Sequence, residues 1–136
     1  MQNLSELYQT SSTEVVCPDD TNPMHILKGG RVLQWMDNTA AICAQTFAGA
    51  ICVTAGIQDM RFLSPARIGD MVSVKATVTR IFKTSMTIRV AAQARKVGEA
   101  FERLIAEGVF TFVSIDSEGK PIPLKRTTGD ERENAA

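Results

Sequence analysis

The sequence predicts an α+β domain in which one long buried helix packs on a mostly antiparallel five-stranded sheet, in the order β-α-β-β-β-β. Two patterns carry this. Between Arg31 and Phe47 the apolar residues Leu33, Met36, Ala40, Ala44 and Phe47 keep helical spacing. From Val72 onward apolar and polar residues alternate along successive segments, as half-buried strands do.

Each element follows in order. Ser11 to Val16 is a short strand, closed by Cys17-Pro18. In the helix, Val32, Trp35, Ala41, Ile42 and Cys43 add apolar surface on other sides, and a helix apolar nearly all round reads as buried. Ile51 to Phe62 is a longer strand ending before Ser64-Pro65. Val72 to Thr79 alternates cleanly, and Met86, Ile88, Val90 and Ala92 repeat the pattern after a turn near Phe82-Lys83-Thr84. Leu104, Ala106, Gly108, Phe110 and Phe112 supply the inward face of a last strand, ended by the turn residues Asp116 to Gly119. Trp35 and the phenylalanines are assigned to the core. A single helix covers only part of such a sheet, so a second copy is expected to bury what remains. The domain runs over 1–124, and the polar, charged tail 125–136 is expected to be disordered.

A chain of 136 residues is long enough for one domain with an ordinary core. Lys plus Arg and Asp plus Glu number 15 each, which gives no footing for nucleic acid or another strongly charged partner. Met1 to Glu6 lacks the basic start and apolar run of a secretory signal, and no stretch approaches the roughly 18 apolar residues of a membrane span. Three cysteines without CxxC spacing read as reduced thiols of a cytoplasmic protein. With one histidine, a multi-histidine metal site is excluded, and no metal is expected.

The most informative stretch runs from Asn22 to Asp37. A polar loop with an amide and the histidine, His25, passes through Gly29-Gly30 into the apolar helix, which carries one carboxylate. First-turn N–H groups at the positive end of a helix suit a carbonyl oxygen gaining negative charge. The two glycines also suit a tight turn or a close approach. Asp37 lies eight residues beyond Gly29, about 12 Å along a helix. One chain therefore cannot easily put donor and carboxylate on the same atom, whereas two antiparallel copies of the helix can.

This ordered set resembles the hotdog-fold acyl-CoA thioesterases, in the branch of the brain and bacterial acyl-CoA hydrolases. The likeness takes in Asn22, Gly29-Gly30, Trp35-Met36-Asp37, Thr54, Phe62-Leu63-Ser64-Pro65, Gly69-Asp70, Thr84-Ser85-Met86, Phe110 to Val113 and Gly119 to Pro123. It implies hydrolysis of an acyl-CoA to free acid and coenzyme A, with no cofactor beyond the coenzyme A of the substrate. Gly29, with Gly30, would polarise the carbonyl; Asp37 of the facing subunit would activate water or attack; Asn22 would orient the thioester or the water. Phe62, Thr84 and Ser85 would lie near the thioester or pantetheine arm, with Lys83, Lys28, Arg31, Arg61 and Arg67 as candidates for phosphates. It further implies a homodimer, extended to a hexamer as a trimer of dimers, with the acyl group near Leu33, Trp35 and Met36.

Plainer readings stand beside these. Asp37 reads alternatively as a solvated helix residue, although its neighbours Trp35, Met36, Ala40 and Ala41 make an idle carboxylate costly. Asn22 also suits an N-cap or Asx-turn. His25, a lone histidine, is more often structural than catalytic. Thr84-Ser85 also reads as a strand start. A rival comes from Asp20-Thr21-Asn22-Pro23-Met24-His25, which resembles the loop of MaoC-like (R)-specific enoyl-CoA hydratases, where an Asp and a His add water to a conjugated double bond. Leu27 stands where that loop needs an acid, and Gly-Gly before Trp-Met-Asp has no use there. A non-catalytic acyl-CoA-binding module ranks third, because it would not need both the carboxylate and the glycines.

Overall fold

The computed structural model describes residues 8–124, and in it the helix and sheet form where the patterns place them. Strand β1 is Gln9–Val15; a short 3-10 turn, Pro18–Asp20, follows; helix α1 is Gly29–Ala48. Strands β2 (Cys52–Phe62), β3 (Met71–Ile81), β4 (Ser85–Arg95) and β5 (Arg103–Ser114) complete the chain. The sheet order is β1-β3-β4-β5-β2, antiparallel throughout. The tail 125–136 lies outside the described residues.

The alternation decides which face meets the helix. Val72, Val74, Ala76 and Val78 of β3 and Met86, Ile88, Val90 and Ala92 of β4 are wholly buried against Met36, Ala40, Ala44 and Phe47 of α1. Tyr8 meets Phe47 edge-on, ring centroids 4.3 Å apart. The helix stops at Gly49, whose positive φ of 66° lets its N–H close on the Gln45 carbonyl at 2.9 Å. Among the described residues no helix is long and apolar enough to cross a membrane.

Three expectations need correction. The helix is not buried all round: Leu33, Trp35 and Ala41 are half-buried and Ile42 is exposed, because one face suffices to cover the sheet. Nor are all phenylalanines core. Phe47, Phe110 and Phe112 are, whereas Phe62, Phe82 and Phe101 sit at strand ends and turns with 57%, 47% and 86% of their surface exposed. Trp35 stands on the β1 side of the helix, one turn before Thr39, whose hydroxyl meets that of Ser12 at 2.7 Å. Met36 is fully buried, so the stripe turned towards β2 is Leu33, Asp37 and Ala41.

Strand β2 is an open edge. Beyond it no strand pairs among the described residues, and Val53 and Ile57 remain exposed. A long edge with apolar side chains is a template for another chain.

The three cysteines are unpaired. Burial raises the thiol pKa of both Cys43 and Cys52, while Cys17 is exposed. A disulfide reagent is therefore expected to modify one thiol per native chain and all three after denaturation. Rapid labelling of a Cys17→Ser chain under native conditions would contradict this burial.

Candidate active site

The loop before α1 is folded by its own backbone and by one amide. The Asn22 N–H donates to the Ile26 carbonyl at 2.9 Å, and the His25 N–H donates to the Asn22 carbonyl at 2.8 Å. Asn22 Oδ1 accepts from the N–H groups of Met24 (2.9 Å) and Ile26 (3.2 Å). Asn22 thus makes the Asx-turn, and among the described residues its Nδ2 donors remain unengaged. His25 is exposed at the loop tip in the left-handed region, φ 62°. No hydrogen bond joins it to Asp20, whose carboxylate is buried and held by Arg31 at 2.5 Å.

Helix α1 begins without a side-chain cap: Lys28 is the N-cap residue and Gly29 and Gly30 are the first two helical positions. Turn-closing bonds start one residue later, with the Arg31 and Val32 N–H groups donating to the Lys28 carbonyl at 3.0 and 3.1 Å. The Gly29 and Gly30 N–H groups have no partner among the described residues, as helix geometry dictates. Neither glycine has a positive φ, so the expected tight turn is absent and the pair belongs to the helix itself. Gly29 lies against the Phe62 ring, where a Cβ would stand in ordinary van der Waals contact, 3.4 Å away. Gly29 and Phe62 line a cavity of about 360 Å³ with Leu27, Val32, Leu63 and Pro65.

Asp37 is two turns further along the helix and half-buried. Its Oδ1 accepts a hydrogen bond of 2.7 Å from the Thr54 hydroxyl on β2. The sequence assigns Thr54 no task, because nothing in the spacing reveals which strand hydroxyl faces a helix carboxylate.

The sheet register separates two groups. Thr54 pairs with Phe112 and Phe62 with Ala106, which places them about 20 Å apart along β5. Thr84 and Ser85 lie at the Thr54 end, where Ser85 pairs with Val113 and the Ser114 N–H donates to the Thr84 carbonyl at 2.9 Å. Within one chain, then, Gly29 and Phe62 share one cavity, which is also lined by Ile26, the residue that Asn22 bonds. Asp37 and Thr54 form a second cluster, with Lys83, Thr84 and Ser85 near it. The predicted coenzyme residues are thus divided between the two ends.

Of the basic candidates, Arg31 is paired with Asp20, and Arg61 with Glu107 on the sheet's outer face; Lys28, Arg67 and Lys83 form no ion pair among the described residues. Among the described residues no cluster of three His, Cys, Asp or Glu side chains is placed to hold a metal.

Comparisons with known proteins converge on one group. The model of the thioesterase superfamily matches residues 24–101. An acetyl-coenzyme A thioesterase of Rattus norvegicus is 37% identical over 105 residues, 74% of this chain and 19% of its own length. The chain thus spans about a fifth of the rodent relatives it matches. An acyl-CoA hydrolase of Staphylococcus aureus, solved with butyryl coenzyme A and coenzyme A, superposes with a TM-score of 0.84 at 31% identity, over 95% of this chain and 80% of that one. A hexameric thioesterase of Yersinia pestis gives 0.79 at 31% identity, over 91% of this chain and 98% of that one. The Staphylococcus protein has also been solved as alanine variants at an asparagine, at an aspartate 15 residues on and at a threonine 17 beyond that. Asn22, Asp37 and Thr54 stand at the same spacing.

Proposed function

The chain belongs to the thioesterase superfamily, and from that premise we propose that it hydrolyses the thioester of an acyl-CoA to a carboxylic acid and coenzyme A. The observation that carries this is the uncapped start of α1, where the Gly29 amide lines an apolar cavity with its N–H unengaged. A thioester carbonyl seated there would gain a donor at the positive end of a helix as its oxygen turns negative. Asp37 supplies the second need of hydrolysis, a carboxylate that takes a proton from water or attacks the carbonyl carbon itself. The thiolate of coenzyme A then leaves; where Asp37 itself has attacked, water hydrolyses the resulting anhydride to free the acid and restore the carboxylate.

The separation of the two clusters calls for a second copy. Antiparallel pairing of two β2 edges would set the Gly29–Phe62 end of one protomer beside the partner subunit's Asp37 and Thr54. Each dimer would then hold two sites, and three such dimers would make a hexamer, the state named for the relatives. The acyl chain would run along Leu33 and Ala41, and the pantetheine arm between Phe62 and the partner subunit's Thr84-Ser85. Unpaired Cys17, Cys43 and Cys52 suit a reducing cytoplasm. The hydratase alternative loses its acid, since Asp20 is committed to Arg31.

The test is a pair of substrate panels. Saturated acyl-CoAs of varied length are expected to release thiol, whereas 2-enoyl-CoAs losing their conjugated absorbance without thiol release would install the hydratase reading. Thr54 yields a finer prediction. Thr54→Val removes the hydroxyl that orients Asp37, a bond to a charged group, and is expected to lower kcat about tenfold or more. Thr54→Ser should keep most of the rate; equal losses in both variants would remove the hydroxyl from the account.

A further inference from the structure

Asp20, which is buried, and Arg31, which is half-buried, form an ion pair that the reaction itself does not use. We infer that this pair is the positioning device of the donor half-site: it fixes the Asn22 loop to the start of α1 and keeps the nearest carboxylate off the open helix amides. The inference rests on the thioesterase reading.

Asp20 is 6% exposed at the end of the 3-10 turn, two residues before Asn22. Four bonds converge on it. Its Oδ2 accepts from the Cys17 N–H at 2.8 Å, and its own N–H donates to the Cys17 carbonyl at 2.9 Å. Its carbonyl accepts from the N–H of Lys28, the N-cap residue, at 2.9 Å, and its Oδ1 takes the Arg31 guanidinium at 2.5 Å. The loop bearing Asn22 is thereby closed onto the first turn of the helix that bears the Gly29 amide. Its far limb is tied separately, by the Leu27 N–H donating to the Ala66 carbonyl at 2.8 Å.

Arg31 is otherwise hard to explain. A cation in the first helical turn opposes the helix dipole, and α1 has no acidic residue there to balance it. A carboxylate beside an uncapped helix start would ordinarily turn to cap it. Here Arg31 and the Cys17 N–H occupy both oxygens of Asp20, which leaves the Gly29 and Gly30 N–H groups for a ligand. Arg31 therefore leaves the donors open, and Asp20 ties the loop that bears Asn22 to the N-cap of the same helix.

The experiment uses Asp20→Asn, Arg31→Gln and the double variant of the full chain, with an acyl-CoA that the wild type cleaves. Each single variant is expected to lower kcat about tenfold to a hundredfold, the scale of a small misplacement, with KM within about twofold. The double variant should be no worse than the poorer single. Mixed with Asp37→Ala chains, Asp20→Asn chains should regain activity, because the two lesions fall in different half-sites; mixed with Asn22→Ala chains they should not. Arg31→Lys, which keeps the charge without the fork, should fall between wild type and Arg31→Gln and serves where the others unfold. Unchanged kcat, a change in KM alone, or no rescue by Asp37→Ala chains despite proven subunit exchange would overturn the inference. A wild-type chain that releases no thiol from any acyl-CoA would instead remove the thioesterase reading.

Discussion

Replacing Asp37 with alanine is expected to lower turnover about a thousandfold, within the range for a lost general base. Its contribution to stability should be small. Asp37 is half-buried, and the bond it accepts comes from an exposed threonine, so the loss should stay near 1 kcal/mol. Asp37→Asn is the sharper variant. It keeps the shape and can still accept from Thr54, but it neither takes a proton from water nor attacks a thioester well. Folding, oligomer and KM should persist while kcat collapses. A variant retaining more than a tenth of wild-type kcat would remove Asp37 from the chemistry. Single turnover in heavy-oxygen water then separates the two roles of the carboxylate. Label in Asp37 marks the nucleophile, whereas label confined to the product acid, with no anhydride trapped by hydroxylamine, marks the base.

The second large effect belongs to Asn22. Its Oδ1 is consumed by the Met24 and Ile26 N–H groups, so only Nδ2 can reach a substrate or water. Asn22→Asp preserves the acceptor that folds the loop and deletes the donor. This near-isosteric change should leave thermal stability within about 1 kcal/mol while lowering kcat a hundredfold or more, the scale of a missing transition-state donor. Asn22→Ala loses both functions and should be less stable as well as inactive. If Asn22→Asp works nearly as well as wild type, the residue is a turn former and nothing more.

Much of the fold was legible because it depends on local periodicity. Val72 to Val78 and Met86 to Ala92 alternate, and the structure buries the apolar set wholly. Met36, Ala40, Ala44 and Phe47 likewise form the buried stripe that their spacing indicates. The site was legible only where its parts lie close in sequence, as Asn22, Gly29 and Asp37 do. Thr54 needed the register of β2 against α1, which no spacing encodes. Asp20 enters the sequence reading only through the rival hydratase loop, because its partner Arg31, eleven residues on, becomes a neighbour only when the loop folds back. Phe62 lies on an apolar strand and so resembled core; its exposure follows from the edge position of β2 and from the cavity it shares with Gly29. The glycine pair reads in the sequence both as a turn and as an open helix start, and only the second survives, since both glycines are helical and neither has a positive φ.

Subunit mixing shows whether two chains build each site. Purified Asn22→Ala and Asp37→Ala chains, each inactive, are exchanged at equal amounts and assayed for thiol release. Random pairing makes half the dimers mixed, and each mixed dimer holds one intact site, so about a quarter of wild-type activity should return. No recovery, with exchange demonstrated independently, would contradict a shared site and place the whole of the chemistry within one chain.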